Sequence, residues 1–110
     1  MATTYKILGQ SAPANTSNAD MITVGAAKSQ IVSSLVIANT TSSSATARVF
    51  VRIAGAAAAA SNAVIYDTII NAKSTAAFTL GITLAATDVI TVQTGTANAL
   101  TFTAFGSELA

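Results

Sequence analysis

The sequence predicts an all-β chain: an antiparallel β-sandwich, jelly-roll-like, with about eight short strands. Three observations point there. Short segments rich in Val, Ile, Thr and Phe are separated by small polar residues and single glycines. Within several of them apolar and polar residues alternate with period two, the pattern of a sheet with one buried face. Nothing between them supplies the dozen or more residues of a helical crossover, so antiparallel pairing is expected rather than βαβ units.

Strands are expected over residues 4–8, 21–24, 30–38, 46–54, 64–70, 75–80, 89–94 and 99–105. Turn chemistry separates them: residues 11–20 hold the only proline, Pro13, and residues 39–44 are a run of small polar side chains. Over 30–38 both faces are apolar near Leu35, Val36 and Ile37, as for a central strand covered on both sides. In the fourth segment Ala47, Val49, Val51 and Ile53 share one face, and Thr46, Arg48, Phe50 and Arg52 the other. Later segments repeat the pattern, with Ala76, Phe78 and Leu80 against Thr75 and Thr79. Ile90 and Val92 oppose Thr91 and Gln93, and Leu100, Phe102 and Ala104 oppose Thr101 and Thr103. The alanine run 56–60 has high helix propensity, but a helix this short is marginal, and Gly55 and Ser61-Asn62 bracket it. A compact loop or single turn is expected there.

The chain has 110 residues, enough for a single β-sandwich domain spanning 1–110, and no composition shift marks a linker. Hydrophobic residues make up 52% and charged residues 8%, a third of the usual ~25%. Alanine, threonine and serine number 25, 17 and 11. With no His or Cys, a Cys/His zinc site, a Ser-His-Asp triad and a disulfide framework are excluded. A net charge of +1 gives no electrostatic footprint for nucleic acid. The apolar run 53–60 is far short of the ~20 residues that span a bilayer, and residues 1–10 do not read as a secretory signal. No membrane or nucleic-acid partner is expected.

The four carboxylates, Asp20, Asp67, Asp88 and Glu108, form no motif. Asp88 reads as a turn residue bonding its own backbone before a strand. The six glycines fit no phosphate-binding pattern, so no cofactor and no metal are expected, and no catalytic residue is assigned. One patch stands out. Arg48, Phe50 and Arg52 project from the face opposite the core strip. An aromatic between two arginines is costly to leave wet, so either a partner covers it as an interface, or the strand lies in a second layer, or loops of the chain cover Phe50.

Several segments resemble small virion structural proteins of tailed bacteriophages, including cyanophages. They are Tyr-Lys-Ile-Leu-Gly-Gln-Ser-Ala-Pro-Ala at 5–14, Ser-Leu-Val-Ile-Ala-Asn at 34–39, Arg-Val-Phe-Val-Arg at 48–52 and Tyr66-Asp67. The long run at 79–92 and Phe-Gly-Ser-Glu at 105–108 extend the likeness over nearly the whole chain. The resemblance implies a small, non-enzymatic β-sandwich of the phage particle. Such proteins serve as capsid cement (decoration) proteins on the major capsid protein lattice, commonly as homotrimers, or as tail and baseplate adaptors. A carbohydrate-binding module of a tail spike is a further option, but it calls for aromatic platforms, and Trp is absent. Localisation in the virion follows from the same resemblance.

Overall fold

In the computed structural model, which describes residues 2–110, nine strands build two antiparallel sheets. In chain order they are β1 (Thr3–Ser11), β2 (Ala19–Thr23), β3 (Ser29–Asn39), β4 (Ala45–Arg52), β5 (Ala63–Ile70), β6 (Thr75–Phe78), β7 (Ile82–Leu84), β8 (Val89–Thr94) and β9 (Leu100–Leu109). Sheet A runs β1-β9-β3-β6, with β7 also on β3, and sheet B runs β2-β8-β4-β5. β6 pairs with residues 35–38 of β3 and β7 with residues 30–32, so together they occupy the place of one broken edge strand. With β6 and β7 counted as one, each strand pairs with its counterpart from the other end of the chain. β1 joins β9, β2 joins β8, β3 joins β6 and β7, and β4 joins β5. This is one long hairpin rolled into a two-layer jelly roll and closed by the β3·β9 and β4·β8 ladders.

The core lies between the sheets. Phe102, Leu35, Ile37 and Val32 of sheet A meet Val49, Val92, Ile90 and Ile65 of sheet B, all buried in one hydrophobic cluster. The expected inward faces of β8 and β9 are the observed ones, and Ala47 and Val49 lead the inner face of β4. Ile53 does not follow them. The chain leaves β4 at Arg52 for a single 3₁₀ turn, Ile53–Gly55, in which Ala54 takes a positive φ of 51°, and Ile53 is left 76% exposed. Residues 56–59 then cross to a second 3₁₀ turn, Ala60–Asn62, so the alanine run forms the compact loop its length predicted. The Asn62 side chain holds it, accepting from the Ala59 N–H and donating to the Ala57 carbonyl. Val36 of β3 is only half-buried, so that strand is fully covered on its inner side alone.

Three elements differ from expectation, the first being β1, which runs on from residue 8 to Ser11. The strand expected over 75–80 stops at Phe78, the chain turns through Gly81 with φ 61°, and pairing resumes as the unexpected β7. β9 runs on past Phe105 to Leu109, because Ser107 and Glu108 find backbone partners on both sides, in β1 and in β3.

Bulges shape the sheets. Ser33 is the extra residue of β3 between Val32 and Ser34, and its hydroxyl donates to the Phe105 carbonyl. Gly106 lies against this bulge with no room for a side chain, since a Cβ would overlap the Ile31 carbonyl oxygen and press on the Ser33 nitrogen. Gly106→Ala is therefore expected to destabilise the fold by about 1–3 kcal/mol through backbone overpacking, read as a lower urea midpoint at unchanged slope. An unaltered midpoint would show that β9 shifts freely at this site.

Candidate functional site

The outward faces carry the exposed side chains through which this fold can act. On sheet B the site is organised by two bulges in β5. Ile65 pairs with Val49 and Thr68 with Ala47, so Tyr66 and Asp67 together oppose the single residue Arg48. Asp67 adopts φ 53°, the left-handed conformation that a non-glycine residue seldom takes. That twist turns both side chains toward Arg48. The guanidinium binds the Asp67 carboxylate in a two-point contact, Nε to Oδ1 at 2.6 Å and Nη2 to Oδ2 at 3.1 Å. It also lies 4.2 Å from the Tyr66 ring centroid, a cation–π contact. The hydrogen bonds from Arg48 hold the Asp67 carboxyl below the usual carboxylate range, and the same bonds raise the Arg48 pKa. Val64, Tyr66 and Ile69 stand exposed on β5 around this pair.

The three residues expected as an interface part company here. Arg48 remains at the surface. Phe50 does not: it is 4% exposed, outside the main core cluster, with its ring edge-on to Tyr66 at 6.5 Å between centroids. Phe50 is thus covered within the chain, with Tyr66 against its ring. Arg52 turns into that covering. Its Nε and Nη2 donate to the Ala56 and Gly55 carbonyls at 2.6 and 3.0 Å, and its Nη1 reaches Asp20 Oδ1 and Thr91 Oγ1 at 3.0 Å each. Asp88 helps from the other side, accepting from the Ala54 N–H and, as a turn residue, from the Ala85 N–H. Arg52 and Asp88 thus strap the 53–62 loop across sheet B. Sequence reasoning missed Tyr66 and Asp67 as partners of Arg48. The available signal was the odd spacing of Ile65 and Ile70, which share one face only if a bulge lies between them.

On the opposite broad face, the outer side of sheet A, Tyr5 and Ile7 of β1, Phe105 of β9 and Ile31 of β3 are exposed. Lys6, Ser33, Gly106 and Ser107 lie among them, and the surface dips there into a concavity of about 430 Å³. At the open end of the sandwich Glu108 turns inward. It accepts from Gln30 Nε2 at 2.7 Å and Lys6 Nζ at 2.9 Å, with Lys28 Nζ at 3.9 Å, and the bonds from Gln30 and Lys6 lower its pKa. Among the described residues no group of three or more potential metal ligands comes together, and no helix is long and apolar enough to cross a membrane. Comparison with protein-family models, with curated proteins and with solved structures found no match.

Two measurements check this division of roles. Phe50→Ala is expected to lower stability by about 3 kcal/mol, as for other buried aromatics, while Tyr66→Leu at the surface changes it by less than about 1 kcal/mol. The Asp67 carboxyl, followed by NMR, is expected to titrate below ~3.9 and to return to that ordinary value in Arg48→Met. The sign follows from a lowered folded-state pKa: the pair stabilises the fold above the ordinary carboxylate range, and that contribution is lost as acid carries the pH down through the lowered value. A titration that Arg48→Met leaves in place would remove the pairing as its cause.

Proposed function

We propose that this chain is a non-enzymatic structural subunit of a tailed-phage virion, a capsid cement protein that works as a homotrimer and stiffens the major capsid protein lattice. The supporting observation is the exposed cluster of Arg48, Tyr66 and Asp67 flanked by Val64 and Ile69 on the outer side of β5. Arg and Tyr are the residues most favoured at protein–protein contacts, and here a bulge and a two-point ion pair hold them in one geometry before any partner arrives. A fixed polar centre with apolar side chains along β5 on one side and Thr16, Thr46 and Gln93 on the other suits docking on a preformed lattice. Weak contacts repeated over a shell then add up by avidity. The resemblance of the chain to small phage virion proteins supplies the particle.

The test is rebinding. Purified protein is expected to return to particles stripped of it and to cover the head. Val64→Asp combined with Ile69→Asp, both at exposed positions, is expected to weaken that rebinding at least tenfold with an unchanged melting curve. Label confined to the tail tip would overturn the cement reading in favour of a tail or baseplate adaptor. Rebinding unaffected by the double variant would move the contact away from β5.

A further inference from the structure

We infer that the polar cleft over β4 and β8 is a binding site for a single neutral sugar unit. The inference goes beyond the reading above: it shares the fixed Arg48–Asp67 pair with it and needs no particle.

The cleft is a hollow of about 260 Å³ built from four parts of the chain. The loop between β1 and β2 contributes Thr16, β4 contributes Thr46 and Arg48, and β5 contributes Asp67. Gln93 and Thr94 of β8, with the adjoining Gly95, complete it. Register sets Gln93 directly beside Arg48. Val64 and Ile69, by contrast, lie on β5 at the edge of sheet B, beyond β4.

The walls are held in place without a ligand. Arg48 is fixed by its two-point contact with Asp67. Gln93 Nε2 donates to the Thr16 carbonyl at 2.8 Å, which ties the loop to β8. The Thr94 side chain is buried, and its hydroxyl donates to the Thr96 carbonyl at 2.8 Å and accepts from the Thr96 N–H. The Gly95 N–H donates to the Thr46 carbonyl at 2.8 Å. The Thr46 hydroxyl occupies the space a Cβ on residue 95 would need, so only glycine lets β4 and the turn after β8 approach this closely. A site whose groups are already ordered loses little freedom on binding.

The chemistry of the lining selects the ligand. Arg48 only donates and ionised Asp67 only accepts, whereas the threonine hydroxyls and the Gln93 amide do both. With Arg48 Nε and Nη2 given to Asp67, and Gln93 Nε2 to Thr16, three groups have no partner among the described residues. They are Arg48 Nη1, Gln93 Oε1 and the Thr46 hydroxyl. A carboxylate or phosphate only accepts and would meet Asp67; an ammonium only donates and would meet Arg48. The two charges lie 2.6 Å apart and largely cancel for a ligand, so neither kind of ion is favoured. A hydroxyl both donates and accepts. Two adjacent hydroxyls match the pair, one donating to Asp67 and the other accepting from Arg48. A neutral ring bearing adjacent hydroxyls is a sugar. Size agrees, since pockets for drug-sized ligands run to ~300–1,000 Å³ and this one suits a single smaller unit. No aromatic side chain lines the cleft, so recognition is by hydrogen bonds alone. The missing aromatic platform sets a weak, millimolar affinity, which many copies on one surface would multiply by avidity.

Amide NMR of the full-length chain, titrated with the methyl glycosides of glucose, galactose, mannose and N-acetylglucosamine, tests this. Up to roughly 50 mM, a range that brackets millimolar dissociation constants, at least one glycoside is expected to shift the Thr46, Gln93, Thr94 and Gly95 amides with saturation. Gln93→Ala and Thr46→Val each remove one hydrogen-bonding group and are expected to weaken that binding about threefold or more, with melting curves confirming that both fold. Tyr5→Ser on the opposite face leaves it unchanged. No saturable shift at those amides with any of the four overturns the inference, as does binding that both variants leave unaltered. Saturation by inorganic phosphate in place of the glycosides overturns it too, in favour of an anion site on Arg48. A glycan array separates two sources of the same chemistry: staining of spots that end in the bound sugar assigns the cleft to glycan termini, and a blank array assigns it to free sugars. Rebinding to stripped particles by a chain that takes no glycoside overturns this inference and keeps the cement reading. Glycoside binding by a chain that does not rebind supports the inference and removes the cement reading.

Discussion

The pairing of chain segments counted inward from both ends governs everything else in this molecule. Ala2 and Ala110 exchange backbone hydrogen bonds of 3.2 and 3.0 Å, β1 lies on β9, and the pattern continues to the β4·β5 hairpin at the centre. A buried N–H or C=O without a partner is costly, so a half-rolled hairpin gains little until its two halves close on each other. The second set of ladders, β3·β9 and β4·β8, forms only when the hairpin rolls, and that same step brings Phe102, Leu35 and Val49 into one core. Backbone pairing and core burial are thus a single event. Ladders between distant segments also put this chain among the slower-folding topologies, because loop closure must precede the contacts that compensate it.

The alternation that predicted the sandwich was legible because β8, β9 and most of β4 keep strict period two with one face in the core. It failed wherever a bulge resets the parity. Val32 and Leu35 face the same way although three apart, with Ser33 as the extra residue, and Ile65 and Ile70 do so although five apart. The 30–38 segment looks doubly covered for another reason: Leu35, Val36 and Ile37 are consecutive apolar residues, and Val36, on the outer side, is only half-buried. β7 was hidden because Leu80-Gly81 looks like a strand end, and the polar residues that continue β9 do not look like strand at all. Arg48, Phe50 and Arg52 were placed on the correct face. What alternation could not show is that the 53–62 loop returns over that face, because this depends on hydrogen bonds from Arg52 and Asp88 to backbone groups far from any periodic pattern.

The scarcity of charge acquires a structural meaning from these placements. Arg52 and Asp88 are engaged in strapping a loop, Glu108 and Lys6 in tying β9 to β1, and Arg48 and Asp67 in fixing a bulge. Lys73 donates to the Thr40 carbonyl in the adjoining turn. With nine charged residues in all, little remains to spread over the surface for colloidal repulsion. The outer side of sheet A exposes tyrosine, isoleucine and phenylalanine.

The two faces therefore differ in kind. The β5 side offers a polar centre whose geometry is fixed by a two-point ion pair, and such a centre favours a partner with matching hydrogen-bonding groups in fixed positions. The outer side of sheet A exposes Tyr5, Ile7, Ile31 and Phe105, with Lys6 bordering the same concavity. The four interrupted edges oppose strand addition, since an open edge would let copies add strand to strand without limit. Association through a face stops when that face is covered.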